Sequence, residues 1–250
     1  MPVAIITGAA QGIGHRTAQL LAANGFSLAL IDLQPCPEIP GADVAQFTGD
    51  LTSDDFILST VAAIQQRFGR IDTLVNNAGI SFIAPAQTVS AADFRRVLEV
   101  NLVAPFLLSR AAGEVMLRQR QGSIVNIASI AGLSGIADRS AYNASKHGLI
   151  GLTRTLAAEW GASNVRVNAV CPGWVKTEMD HADQAASAYS DSDIIDRVPM
   201  ARFATPDDIA NAVHFLADPA RSAFINGHTL TVDGGWTADA SWQSLRLSHR

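Results

Sequence analysis

The chain has 250 residues, enough for one sizeable α/β domain or two small ones. It is 48% hydrophobic and 16% charged, with a formal net charge of −5 and no block of like charges. That balance excludes the basic stripe of a nucleic-acid binder, and its apolar excess predicts a homo-oligomer.

The opening MPVAIITGAA lacks the basic lead of a secretory signal, and no apolar run approaches the roughly 20 residues of a membrane-spanning helix. The two cysteines, Cys36 and Cys171, have no metal-ligand spacing and read as reduced thiols. The expectation is a cytoplasmic protein with no metal, membrane or nucleic-acid partner.

In chain order, short β-branched runs alternate with longer amphipathic ones. A strand is expected at Val3–Thr7, a helix from Ile13 to Asn24, strands at Ser27–Asp32 and Ala45–Thr48, and a helix over Ser53–Phe68. Then come a strand at Thr73–Asn76, a long helix within Ala91–Gln119, and a strand at Ser123–Ala128. A helix over Ser140–Glu159, a strand at Arg166–Cys171, a helix over Pro206–Leu216 and a strand at Thr229–Val232 complete the pattern. Strands apolar on both faces and separated by helices predict one doubly wound α/β domain over 1–250, its parallel sheet of about seven strands covered by helices on both faces. Its ligand belongs at the carboxyl ends of the strands.

The turn after the first strand reads TGAAQGIG, Thr7 to Gly14. Glycines there let backbone approach a ligand, and helix-start N–H groups favour phosphate. The spacing is G-x-x-x-G-x-G, not the usual dinucleotide fingerprint. Asp32, 18 residues after Gly14, ends the second strand where a ribose-binding carboxylate is expected. Such an acid repels a 2′-phosphate, and the neighbouring Gln11 and Leu33 offer no cation to attract one. NAD is therefore expected over NADP.

Tyr142 and Lys146, four residues apart on a helix, share a face. The lysine is notable because the chain uses sixteen arginines and only two lysines, Lys146 and Lys176. A cation beside a tyrosine favours the phenolate, and lysine supplies a compact charge with movable donors. Ser129 at the end of the fifth strand falls on the same ligand edge, as do Asn76-Asn77-Ala78-Gly79, with Asn101 in the following helix.

Together these residues resemble the short-chain dehydrogenase/reductase family from Val3 to about Gly235. The resemblance implies a Rossmann-type fold with Gly8, Gln11, Gly12, Ile13, Gly14, Asp32 and Leu33 around the cofactor. It implies adenine contacts at Asp50 and Leu51, cofactor support from Asn77, Ala78 and Gly79, and nicotinamide contacts from Pro172, Gly173, Val175 and Thr177. Val232-Asp233-Gly234-Gly235 matches the family's usual ending of the last strand. Asn101, Ser129, Tyr142 and Lys146 match its catalytic tetrad. Tyr142 is then the base toward a secondary alcohol, Ser129 holds the substrate oxygen, and Lys146 binds the nicotinamide ribose and lowers the tyrosine pKa. Asn101 orders a water that links Lys146 to solvent. A tetramer is the family's commonest assembly.

For substrate the sequence offers Arg139 and Trp174 as pocket residues, and Glu178–Arg202 as a mobile lid or a plain solvated loop. The tail from Trp236 to Arg250 is rich in apolar and basic residues, which predicts docking on a neighbouring subunit. Arg246 or Arg250 would then either reach that subunit's pocket and pair with a carboxylate, or only pack in the interface with no substrate contact. The first favours a sugar acid over a neutral polyol. The alternatives are a 3-oxoacyl-thioester (acyl carrier protein) reductase and, from another class, a non-catalytic nucleotide-sensing or scaffold protein.

Overall fold

The VAIIT run at Val3–Thr7 forms strand β1, and all five residues are buried. Alternate side chains go to opposite faces, as the pleat requires. Val3 and Ile5 pack with Ile57, Leu108 and Met116, whereas Ala4 and Ile6 pack with Leu21, Val213 and Leu216. The computed structural model describes residues 1–185, 189–242 and 245–246.

After β1 come β2 (Ser27–Asp32), β3 (Val44–Thr48), β4 (Thr73–Asn76), β5 (Gly122–Ile127), β6 (Val165–Pro172) and β7 (Thr229–Val232). They form one seven-stranded parallel sheet in the order β3-β2-β1-β4-β5-β6-β7. The helices are α1 (Gly12–Ala23), α2 (Asp54–Phe68), α3 (Ala91–Leu98), α4 (Ala104–Gln119), α5 (Ser140–Trp160), α6 (Glu178–Ala185), α7 (Asp191–Ile195), α8 (Pro206–Ala217) and the short α9 (Pro219–Ser222). Buried residues of α1 and α8 cover one face of the sheet, and those of α2, α4 and α5 the other.

Local sequence sets the ends of these helices. Ser53 caps α2 by accepting from the Phe56 N–H, and Gly69 stops it at φ +74°. Thr205 and Asp208 form a capping box at α8, with Pro206 in its first turn. The chain leaves β1 toward β2 and β3, then α2 carries it back to β4 on the other side of β1. A crevice opens at the carboxyl ends of strands where the order reverses in this way.

The regular elements lie within a residue or two of their expected positions. The expected long helix is α3 and α4 joined through a π turn at Glu99–Val103. Pro105 has no N–H to give the Asn101 carbonyl in the α-helical pattern, which accounts for the wider turn. By length and composition alone this 29-residue helix could cross a membrane, although charged residues interrupt its apolar runs. Over half of its most apolar stretch is buried in the core, against α2 and β5 among other elements. The segment Glu178–Arg202 carries α6 and α7, which the hydrophobic pattern did not announce because it is short, polar and small-residue-rich.

Candidate active site

The glycine turn is shaped by the end of β4. Gly8 has φ +64°, and a Cβ there would come within 2.9 Å of Ala78 Cα. Thr7 Oγ1 accepts from the N–H groups of Asn77 and Ala78, both at 3.0 Å. Asn77 Nδ2 donates back to the carbonyls of Thr7 and Gly8 at 2.9 and 3.0 Å. Asn76 donates to Asn126 Oδ1 at 2.8 Å, tying β4 to β5 beneath the crevice. Gly14 departs from expectation. It is buried and does not line the cleft, and a Cβ on it would meet the Gly8 carbonyl oxygen at 2.0 Å, so its smallness lets α1 pack against the turn.

Gln11, the N-cap of α1, makes no side-chain capping bond, so the first-turn N–H groups have no cap of their own. Gly8, Gln11, Gly12 and Ile13 line a cleft of roughly 420 Å³. Uncapped donors behind glycines fit a pyrophosphate, and the cleft continues in both directions as a dinucleotide requires. On one side it meets Asp32, Leu33, Asp50 and Leu51; on the other, Asn77, Ala78 and Gly79, then Pro172, Gly173, Val175 and Thr177. The Asp32 carboxylate accepts from the N–H groups of Ala10 at 3.0 Å and Gln34 at 3.1 Å, which fixes it on the wall. Arg96, on α3, also lines the cleft; the sequence reading missed it because nothing local distinguishes it from other arginines of that amphipathic helix.

Ser129, Tyr142 and Lys146 meet on the cleft beyond the end of β5. Burial pushes the Tyr142 phenol above its ordinary value, opposed by a hydrogen bond from Ser129 and by the charge of Arg139. Burial also brings Lys146 down to about 8. Its Nζ donates to the Ile127 carbonyl at 2.7 Å and lies 5.5 Å from the centre of the Tyr142 ring. Burial is thus the largest influence on the tyrosine in the protein itself, and the hydroxyl of Ser129 and the guanidinium of Arg139 act against it, in favour of the phenolate.

Asn101, fully buried in the π turn, does not line the cleft. Its Nδ2 donates to the Ile80 carbonyl at 2.9 Å and to Ser145 Oγ at 3.1 Å, and its Oδ1 accepts from the Ile80 N–H at 2.9 Å. The side chain clamps the turn at Ile80 and ties it to Ser145 of α5.

At the substrate end, Arg139 and Trp174 both line the cleft, as expected from sequence. Arg139 is buried, pairs with Asp183 of α6 at 2.6 Å, and lies 5.6 Å from the Trp174 ring centre. Lys176, the second lysine, ties α6 to α7 by pairing with Asp180 at 3.1 Å and with Asp191. Tyr189 packs on Trp174 with centroids 5.2 Å apart and donates its hydroxyl to Asp180 at 3.1 Å.

The tail begins by folding over its own chain. Trp236 stacks on Trp174 at 5.9 Å, and Arg197 pairs with Asp239 at 3.2 Å. Arg246 lies near Asp239, outside the lining of this chain's cleft, and Arg250 lies outside the described residues. Ser81, Asp183, Tyr189 and Trp236 were not singled out from sequence, because only folding brings the first two to Arg139 and the last two to Trp174. Among the described residues no group of acids, histidines and cysteines is placed to hold a metal, and Cys36 and Cys171 are buried free thiols.

Residues 8–237 match a family model described as enoyl-(acyl carrier protein) reductase. A D-threitol dehydrogenase of Mycolicibacterium smegmatis is 41% identical over 245 residues, covering 94% of this chain and 92% of that protein. An uncharacterized short-chain type dehydrogenase/reductase of Sinorhizobium fredii is 42% identical over 243 residues; the match covers 94% of this chain but spans only 43% of that longer relative. Among solved structures, levodione reductase superposes with a TM-score of 0.91 at 33% identity, covering 95% of this chain and 98% of that one. ElxO with NADP bound superposes with a TM-score of 0.89 at 30% identity, covering 95% and 99%.

Fold and site together define a nicotinamide-dependent oxidoreductase acting on CH–OH groups. The chain belongs to the short-chain dehydrogenase/reductase family.

Proposed function

We propose that the protein interconverts a secondary alcohol and a ketone on a small hydroxylated molecule, a sugar acid or a polyol, with NAD as the hydride acceptor. The observation that carries this reading is the meeting of Ser129, Tyr142 and Lys146 on one cleft with the uncapped start of α1. Tyr142 Oη takes the hydroxyl proton, and Ser129 Oγ hydrogen-bonds the same oxygen and stabilises charge as it develops. The bound cofactor supplies the hydride acceptor and a positive ring that favours the phenolate. Lys146, buried and close to its proton-exchange range, would hold the ribose hydroxyls, and the proton taken by Tyr142 would leave to solvent through them, Lys146 and a water ordered by Asn101.

NAD is favoured by the fixed carboxylate of Asp32 and by the exposed Leu33 beside it, where a 2′-phosphate would find an anion. The bound NADP of ElxO and the presence of Arg96 on the wall argue the other way, so the cofactor is read from the ratio of kcat/KM for NAD and NADP. A homo-oligomer, with a tetramer as the expected state, and a cytoplasmic location complete the reading. Exposed Phe224 and Trp242 and the buried free thiols support these two in turn.

The test is initial rates of NADH formation over sugar acids, their neutral polyol counterparts and 3-hydroxyacyl thioesters. The acyl-carrier description of the matching family model favours thioesters as the rival class. Oxidation of thioesters alone would overturn the proposal in that rival's favour. A Tyr142→Phe enzyme that turns over at the wild-type rate would rule out tyrosine as the base, and a wild type that binds NADH but oxidises none of the panel would leave only a nucleotide-binding role.

A further inference from the structure

Resting on this dehydrogenase reading, we infer that Asp183 is a specificity-determining residue that makes the substrate a neutral polyol instead of a sugar acid. The sequence offers Arg139 as the cation for a substrate carboxylate, but in the folded chain that cation already has a carboxylate. Arg139 Nη1 donates to Asp183 Oδ2 at 2.6 Å and to Ser81 Oγ at 2.9 Å. The two paired side chains keep only 8% and 14% of their exposure, so solvent screens the pair little.

A substrate carboxylate that reaches Arg139 either displaces Asp183 or comes beside it, and in both cases two negative charges share one guanidinium in a wall that also holds Asp180. Asp180 already takes Lys176 and the Tyr189 hydroxyl. Like charges brought together where solvent screens little disfavour each other.

A hydroxyl brings no such charge. It donates and accepts at once, and so bonds to Asp183 or Ser81 while taking an N–H from Arg139. Trp174, flanked by Tyr189 and Trp236, supplies an apolar face against which the C–H side of a polyol chain packs. The wall thus combines matched donors and acceptors with an aromatic floor, and its local charge is already balanced.

The experiment is kcat/KM for neutral polyols and for acids of matched chain length, in wild type, Asp183→Asn and the double variant Arg139→Met/Asp183→Leu. NADH fluorescence titration reads the dinucleotide end and identifies folded variants. The wild type should favour polyols by about tenfold or more, and Asp183→Asn should move the ratio about tenfold or more toward acids by releasing Arg139. The double variant should lose the preference for polyols without gaining acids.

A wild type that oxidises acids as well as polyols overturns the inference, as does an Asp183→Asn ratio unchanged within about threefold. Should Asp183→Asn not fold, the wild-type ratio and the double variant decide it. Activity without discrimination overturns this inference alone. Failure to oxidise either class with NAD or NADP overturns the dehydrogenase reading and the inference with it.

Discussion

Replacing Lys146 by Met should stabilise the protein at neutral pH and remove a specific piece of its pH dependence. Lys146 is only 4% exposed, its ammonium donates to one backbone carbonyl, and burial lowers its pKa from 10.5 to about 8. The folded pKa lies below the unfolded one, so between about pH 8 and 10.5 the unfolded chain binds more protons than the native state. Stability contributed through this group therefore rises with pH across that window, the reverse of a lysine that gains a carboxylate partner. A gap of this size corresponds to about 3 kcal/mol of wild-type stability withheld at neutral pH and returned by the alkaline end. The assay is urea unfolding of both proteins at one protein concentration, from near pH 7 to above pH 10. Other titrating groups are common to both, so the difference isolates Lys146. The Met variant should start more stable and lose most of its lead as pH rises. A lead that stays constant to within about 0.5 kcal/mol would refute the reasoning, because it would mean that the buried amine titrates as an ordinary lysine.

Tyr142→Phe should cut turnover by about a thousandfold while leaving NADH binding near wild type, since positioned proton transfer commonly contributes between about 10² and 10⁴; single-turnover rates and fluorescence titration check it. Alcohol oxidation should rise toward alkaline pH, because burial raises Tyr142 and the phenolate is the reactive form; ketone reduction, which needs the phenol, should fall over the same range, and a flat oxidation profile would count against tyrosine as base. Asp32→Ser should lower the NAD-to-NADP preference by at least about tenfold, the scale of one lost charge interaction with a ribose phosphate; kcat/KM for both dinucleotides measures it. Gly14→Ala should destabilise by about 1–3 kcal/mol or more, since its methyl would sit 2.0 Å from the Gly8 carbonyl oxygen, and thermal unfolding reads the loss.

The sheet was legible because parallel strands buried on both faces announce themselves as apolar runs, and the caps at Ser53 and Thr205 sit beside them in sequence. The cofactor cleft was legible because its residues cluster at strand ends, where one-dimensional spacing fixes three-dimensional neighbourhood. Gly14 was placed on the cofactor because a glycine in such a turn reads the same whether it faces ligand or helix; only the 2.0 Å approach to Gly8 tells the two apart. Asn101 was legible as a residue but not in its action, since the clamp on Ile80 arises from a turn 21 residues away. The substrate wall was least legible. Arg139 and Asp183 are 44 residues apart, and nothing in the polar run around Asp183 says which of its acids turns inward.

The two lysines of this arginine-rich chain stand at two different demands for a compact cation. At 146 the ammonium sits within reach of one carbonyl, and a Cβ on the neighbouring Gly79 would lie 3.6 Å from Nζ, so a planar fork has little room. Arginine also keeps its proton at every accessible pH, whereas burial brings this amine to about 8, where it exchanges protons near working conditions. At 176 a single ammonium serves Asp180 and Asp191 from different directions and lies 4.5 Å from the centre of the Phe203 ring. One lysine is thus tuned by the removal of solvent, and the other by the gathering of acids around it. The arginine at 139 meets the opposite demand. Its flat guanidinium lies over Trp174 while holding Asp183 and Ser81, and it must stay charged for that wall to remain balanced. The choice of cation at each position follows from whether the site needs a proton to move or a charge to stay.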